Sequence, residues 1–324
     1  MFDFISIGSS VRDVFLISKE FRFIRSDEFP TGIGECVSFG SKIELDKLVL
    51  TTGGGGTNSS TTFARLGFKT GIITKIGDDT SGSEVLSQLK ADRVNTSMVK
   101  TIKNGQTAYS SILTAQNGER SILVERGVSK TFTDADVTWS KIKCKWIYLT
   151  SLGGNSTLAL KIAKTAKETK TKIFYNPGYE EIKRGLKAFE PIRKHLDILL
   201  LNLEEAQRLT GLETRDIKTL AQKIAIPGLI VLITDGQNGA YGIENDKIWF
   251  LRARAVKVIS RTGAGDAFGS GVAVGIFSGL NLQDSMRLGL MNAESVIKYY
   301  GAKQGILSKI PTSANFKKIK VTTF

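Results

Sequence analysis

The stretch Ser260-Arg261-Thr262-Gly263-Ala264-Gly265-Asp266-Ala267-Phe268-Gly269-Ser270-Gly271 sets a carboxylate just behind three small residues at the mouth of an apolar helix. Gly263, Ala264 and Gly265 allow close backbone approach, and first-turn helix amides lack partners of their own, so such a turn can hold an anion. Asp266 then has two readings. An acid at a helix N-terminus can simply cap the helix that runs from Ala267 toward Gly279. Beside a phosphate cradle, the same acid can work as a general base.

Outward from that stretch the chain alternates short apolar runs with helical segments. Lys145-Trp146-Ile147-Tyr148-Leu149-Thr150 precedes a predicted helix near residues 156–168, and residues 172–175, 197–201 and 229–234 are further apolar runs. Runs of this kind, spaced by helices, predict a parallel sheet with helices on both faces. Ligands of such sheets bind at the carboxyl ends of the strands, where the candidate motifs fall. The segment from about Val14 to Leu50 lacks helical periodicity. There Phe21, Phe23, Cys36, Val37, Phe39, Ile43 and Leu45, separated by Gly32, Gly34 and Gly40, predict short strands and turns. Residues 107–113 and 120–125 are joined across Ala115-Gln116-Asn117-Gly118, and Asn-Gly between alternating runs predicts a hairpin. The two β-rich segments can pair into a small sheet covering a cleft.

Bulk composition narrows the function classes. With 324 residues the chain can bury a sizeable core, and 41% hydrophobic against 23% charged residues argues against disorder. No apolar run reaches membrane-spanning length, and Phe2-Asp3-Phe4-Ile5-Ser6-Ile7-Gly8 starts as a strand rather than a signal peptide, so a cytoplasmic protein is expected. Cys36 and Cys144 are too few for a disulfide scaffold. His195 stands alone, which excludes a His-ligated metal site and any triad needing a second imidazole. The net charge of +14 is scattered along wet helix faces such as Lys161, Lys164 and Lys167, so it predicts attraction of anionic substrates and no nucleic-acid or membrane partner.

Gly53-Gly54-Gly55-Gly56-Thr57-Asn58 is a glycine-rich turn into a second apolar helix, ending near Gly67. It lacks dinucleotide-fingerprint spacing, and the chain has no Gly-x-x-x-x-Gly-Lys-Ser/Thr phosphate loop. Asn58 offers both a donor and an acceptor to a polyol ligand.

Taken together, the segments from Gly54 to Gly77 and from Ser260 to Ala273 resemble the paired signatures of the ribokinase-like (PfkB-type) carbohydrate kinase family. Further resemblances lie at Gly8 to Asp13, Asn202-Leu203-Glu204-Glu205, Thr234-Asp235-Gly236-Gln237-Asn238-Gly239 and Gly301-Ala302. The resemblance implies an α/β fold: a three-layer α/β/α body with a mostly parallel central sheet, forming one domain over 1–324. It also implies a small β-sheet lid from approximately 14–50 and 105–126. ATP-dependent phosphoryl transfer to a sugar hydroxyl follows from it, with Asp266 as base and Gly263, Ala264 and Gly265 as the anion hole. Asp13, Gly54, Gly55 and Asn58 would bind the acceptor; Asn202, Thr234, Gly236, Gly239 and Asn292 would bind the nucleotide; Glu205 would hold Mg2+ through water.

The chain departs from the family at Ser260, where many relatives carry an acid that helps hold an activating potassium ion. A neutral hydroxyl binds a monovalent cation less strongly, which weighs against potassium activation. Arg261 is a candidate source of positive field at the anion turn. Gly55 and Val11 replace a lysine and an asparagine of ribokinase itself, leaving a sugar, a sugar phosphate or a nucleoside as the acceptor. Arg12, Arg25 and Arg126 could favour an anionic acceptor, whereas Phe39 or Tyr109 stacked on a base would favour a nucleoside. A non-catalytic sugar-binding homologue is the remaining alternative. Exposed lid edges make a homodimer plausible.

Overall fold

Residues Ile198-Leu199-Leu200-Leu201 show how the body is built: Leu199 and Leu201 enter one core, Ile198 and Leu200 another. This is the alternation of a strand whose two faces are both covered. The computed structural model describes residues 1–29, 32–115 and 120–324. In chain order its strands are β1 (Phe2–Ile7), β2 (Val11–Ile17), β3 (Arg22–Arg25), β4 (Ile33–Cys36), β5 (Lys47–Gly53), β6 (Thr70–Gly77), β7 (Asn95–Ile102) and β8 (Ala108–Thr114). They continue with β9 (Arg120–Glu125), β10 (Cys144–Leu149), β11 (Lys172–Tyr175), β12 (Ile198–Asn202), β13 (Ile230–Thr234), β14 (Ala240–Glu244), β15 (Lys247–Leu251) and β16 (Val321–Thr323). The helices that position the site are α1 (Gly55–Arg65), α2 (Thr80–Ala91), α3 (Ser156–Glu168), α4 (Tyr179–Ile182), α5 (Gly185–Arg193), α6 (Leu203–Thr210), α7 (Ile217–Ile224), α8 (Ala264–Phe277) and α9 (Leu282–Val296).

The large sheet has the order β16-β15-β14-β13-β12-β11-β10-β1-β6-β7. Pairing is parallel from β13 to β7, and β14, β15 and β16 add antiparallel strands at one edge. One face packs against α3, α5, α6 and α7, the other against α1, α8 and α9, so the body has three layers. The apolar runs expected as buried strands are β10, β11, β12 and β13, and the helix expected near residues 156–168 is α3. Glycines bring α8 and α9 close: a Cβ on Gly271 would sit 2.8 Å from Gly289 Cα, and one on Gly275 would meet Ser285 at 2.6 Å. Among the described residues no helix is long and apolar enough to cross a membrane.

A separate four-stranded sheet has the order β5-β2-β8-β9. It combines the two β-rich segments: β2 lies between β5 and β8, with Asp13 opposite Thr51 on one side and Ser110 on the other. The sheet begins at Val11, so Asp13 is one of its own residues. Strands β8 and β9 pair antiparallel, while their expected turn at Gln116-Asn117-Gly118 lies outside the described residues.

The strand expectation for Phe39, Ile43 and Leu45 is not met. After β4 ends at Cys36 this segment is tied by polar groups, Lys19 N donating to Asp46 and the Ser18 hydroxyl to the Glu44 carbonyl, and Phe39 is fully exposed. A bare aromatic with no apolar surface beneath it gives a strand nothing to pack on.

Candidate active site

The carboxyl ends of β12 and β13 and the mouth of α8 enclose a cleft of about 200 Å³. Asn202 and Thr234 are the last residues of those strands, and with Glu205, Arg261 and Gly263 to Asp266 they line it. This is where an open parallel sheet places its ligands.

The helix opens earlier than its sequence suggests, at Ala264, with Gly263 as the N-cap in the left-handed region at φ 79°. No side chain caps it. Asp266 instead accepts a hydrogen bond from Asn58 Nδ2 at 2.8 Å, across 208 positions of sequence. Burial drives the Asp266 carboxyl above its ordinary range, opposed by the Asn58 hydrogen bond and the charge of Lys303. An acid so placed is poised to take a proton. Gly265 is exposed and a Cβ on it would meet nothing within 4 Å, so that side of the turn faces open space.

Asn58 sits on α1 and is buried. Its Oδ1 has no hydrogen-bond partner among the described residues, so one acceptor remains beside Asp266. The glycines ahead of it are required by the protein's own backbone. A Cβ on Gly54 would come within 2.5 Å of the Ser9 carbonyl, and one on Gly55 within 2.9 Å of the Thr150 side chain. The loop is therefore clamped onto the end of β1 and the residue after β10. Gly53 serves Asp13 directly, since a Cβ there would fall 2.0 Å from Asp13 Oδ2. Burial pushes the Asp13 carboxyl up to about 6, against the pull of Lys303 and a hydrogen bond from Ser110, while the charge of Asp266 adds to the rise.

On the opposite wall Asn202 and Glu205 cap each other. Asn202 Oδ1 accepts from Glu205 N and Glu205 Oε2 from Asn202 N, both at 2.8 Å. This capping box starts α6 at the end of β12. Burial raises the Glu205 carboxyl to about 7, with the charges of Asp266 and Glu204 contributing and the Asn202 amide opposing. Thr234 begins a turn closed by Asp235 N to the Gly239 carbonyl at 2.8 Å. Gly236 and Gly239 both have positive φ, and a Cβ on Gly239 would lie 2.1 Å from the Leu251 carbonyl.

Two expectations need correction. Asn292 does not reach the cleft: it is fully buried between α9 and α8, its amide donating to the Ala267 carbonyl at 2.8 Å and accepting from Leu307 N at 3.0 Å. An interior amide satisfies local backbone groups first. Arg12 is likewise engaged, paired with Glu84 of α2, and its remaining pull falls on Asp13. Arg126 is exposed, and Tyr109 lies opposite Arg12, on the other face of the small sheet from Asp13 and Ser110.

Sequence reading overlooked two charged residues. Lys303, two positions after Gly301, is buried with its Nζ bonded to Thr52 and Thr57. Its only sequence signal is adjacency to the Gly301-Ala302 motif. Glu181 is buried in α4, where it accepts from the Ser151 hydroxyl and from the amides of Leu152, Gly154 and Gly178, fixing the loop after β10. No sequence pattern marked it.

The model of the pfkB family carbohydrate kinases matches residues 5–309. A sugar kinase of Archaeoglobus fulgidus is 31% identical over 247 residues, which span 75% of this chain and 97% of that protein. A cytidine kinase of Thermococcus kodakarensis is 29% identical over 258 residues, 78% of this chain and 90% of the other. Among solved structures, an Arabidopsis thaliana ribokinase complexed with ribose and ATP has a TM-score of 0.75 at 20% identity, with 98% of each chain covered.

Proposed function

This chain belongs to the pfkB family of carbohydrate kinases, and from that premise we propose that it transfers the γ-phosphoryl group of ATP to a hydroxyl of a sugar or sugar derivative. The observation that carries this reading is the Asn58–Asp266 hydrogen bond, which sets an acid of raised pKa beside the open first turn of α8. Asp266 takes the proton of the attacking hydroxyl as its oxygen bonds to the γ-phosphorus and the bond to the β–γ bridging oxygen breaks, releasing ADP. Gly263, Ala264 and Gly265 give the turn whose amides meet the negative charge of the transferred group, and Arg261 adds positive field. Asp13 and Asn58 accept and donate hydrogen bonds to the acceptor's hydroxyls, with Gly54 and Gly55 holding the loop in place. Asn202, Thr234, Gly236 and Gly239 border the nucleotide phosphates.

Glu205 fits a magnesium ion held mainly by phosphates and water. One of its oxygens is spent on Asn202, and among the described residues no group of three or more His, Cys, Asp or Glu could hold a metal. When bound, the ion would neutralise charge on the phosphates. A sugar is favoured over a nucleoside because Phe39 projects into solvent and Tyr109 lies away from Asp13. Work in the cytoplasm, with both cysteines reduced, agrees with this reading.

Nucleotide consumption measured against sugars, sugar phosphates and nucleosides, with Asp266→Asn as the control, tests the proposal. A sugar should be turned over, and the variant should lose roughly 10²–10⁴ of the rate. Full turnover in Asp266→Asn would sink the mechanism. A preference for nucleosides would replace the acceptor, and sugar binding without ATP consumption would point to a non-catalytic homologue.

A further inference from the structure

Residues 301–303 touch both walls of the site at once. A Cβ on Gly263 would lie 2.3 Å from Ala302 Cβ, so Ala302 packs directly on the anion turn. A Cβ on Gly301 would meet the Thr51 side chain at 2.9 Å, on the acceptor side. Lys303, only 6% exposed, donates through Nζ to the Thr52 carbonyl at 2.6 Å and to the hydroxyls of Thr52 and Thr57, each at 2.8 Å. Three acceptors match the three donors of an ammonium group. The Thr57 hydroxyl passes the chain on to the Gly53 carbonyl at 2.6 Å, one residue short of the clamped Gly54. Thr57 immediately precedes Asn58, the partner of Asp266. Lys303 is itself held, because Arg65 Nη1 donates to its carbonyl at 2.5 Å while Arg65 Nε pairs with Asp92.

We propose that Lys303 is a positioning residue for phosphoryl transfer: its ammonium locks the Thr52–Asn58 loop against the Gly263–Asp266 turn and supplies the positive charge that Asp13 and Asp266 share. The charged groups facing that ammonium are Asp13, Asp92 and Asp266, which favour it, and Arg65, which opposes it. Burial pulls Lys303 down to about 7, and the three carboxylates resist the fall. Without the lysine, the buried Asp13 carboxyl would feel the charge of Asp266 with only Arg12, itself paired with Glu84, to oppose it. The kinetic part of this inference rests on the kinase reading above; the electrostatic part does not.

Two variants test it: Lys303→Met, which removes charge and hydrogen bonds, and Lys303→Gln, which keeps a polar anchor without charge. Carbon-13 carboxyl NMR on aspartate-labelled protein should show Asp13 titrating higher than in the parent by about one unit or more in either variant. With an accepted sugar, the acid limb of kcat/KM should move up in parallel, and kcat/KM should fall on the order of 10- to 100-fold. The KM for ATP should stay within about twofold, since the charge acts on the acceptor side. Thr57→Val, which removes one anchor and keeps the charge, should raise the acceptor KM alone. An Asp13 titration that does not move in a folded variant, or acceptor kinetics unaltered in Thr57→Val, would overturn the proposal. Absence of any phosphoryl transfer by the parent protein sinks only the kinase reading, because the Asp13 titration still decides the role of Lys303.

Discussion

Asp266 owes its character to neighbours far away in the chain. As an isolated residue it is a good helix-start acid, and only the Asn58 hydrogen bond and burial make it a plausible base. Protonation of Asp13, raised to about 6, removes acceptor lone pairs, so kcat/KM for the acceptor should fall about tenfold per pH unit below that point. A steady-state pH profile checks this. Glu205 gives a stability signature with a definite sign. Its carboxyl is raised from the ordinary 4.5 to about 7, so its contribution to stability is complete below about 4.5 and lost as pH rises through about 7. Glu205→Gln lacks that loss. Its melting temperature, followed without nucleotide or metal, should gain on the parent protein from pH 5 to pH 8, and a constant difference would refute the assignment. At this scale the sequence pointed to Asp266 and Asn58 through their glycine-rich turns and to Asp13 through resemblance, and missed Lys303 and Glu181. Their roles are written only in the backbone and side-chain groups that the fold gathers around them.

At the scale of elements, caps and glycines decide where each functional side chain lands. Asn202→Ala removes one arm of the capping box and should cost roughly 1 kcal/mol, read by denaturant unfolding. Gly263→Ala combines a left-handed φ with collision against Ala302. It should cost on the order of 1–3 kcal/mol and lower turnover by displacing the anion turn, which unfolding and kinetic assays separate. The buried strands were legible because apolar runs of that length have few other uses, and α3 because Lys161, Lys164 and Lys167 mark the wet face of a helix; its Asn155 cap comes from the structure. α8 starts three residues before the point its sequence predicts, since a glycine N-cap carries no side-chain signal. The segment after Cys36 alternates without forming a strand, because alternation needs a covering layer to pack against.

Across the whole molecule the small sheet presents a second question. Its outward residues Leu48, Leu50 and Leu123 are all more than half exposed; Leu50 and Leu123 share one register row through Val14 and Ser111, and Leu48 lies on the same face in the next row. The homodimer expected from the exposed lid edges would cover this face. Light scattering should return the dimer mass, and Leu50→Lys combined with Leu123→Lys should return the monomer. A monomeric parent protein would end the idea.

What the sequence determined by itself is the alternation of buried strands and helices, the two glycine-rich turns and their order, because those depend on local periodicity and spacing. Tertiary structure alone decided that Asn58 meets Asp266, that Asn292 and Arg12 are spent elsewhere, and that Lys303 joins the two walls. The reason is physical: hydrogen bonding and charge act over a few ångströms in space, and residues 208 or 251 positions apart come within that range only once both faces of the sheet are packed.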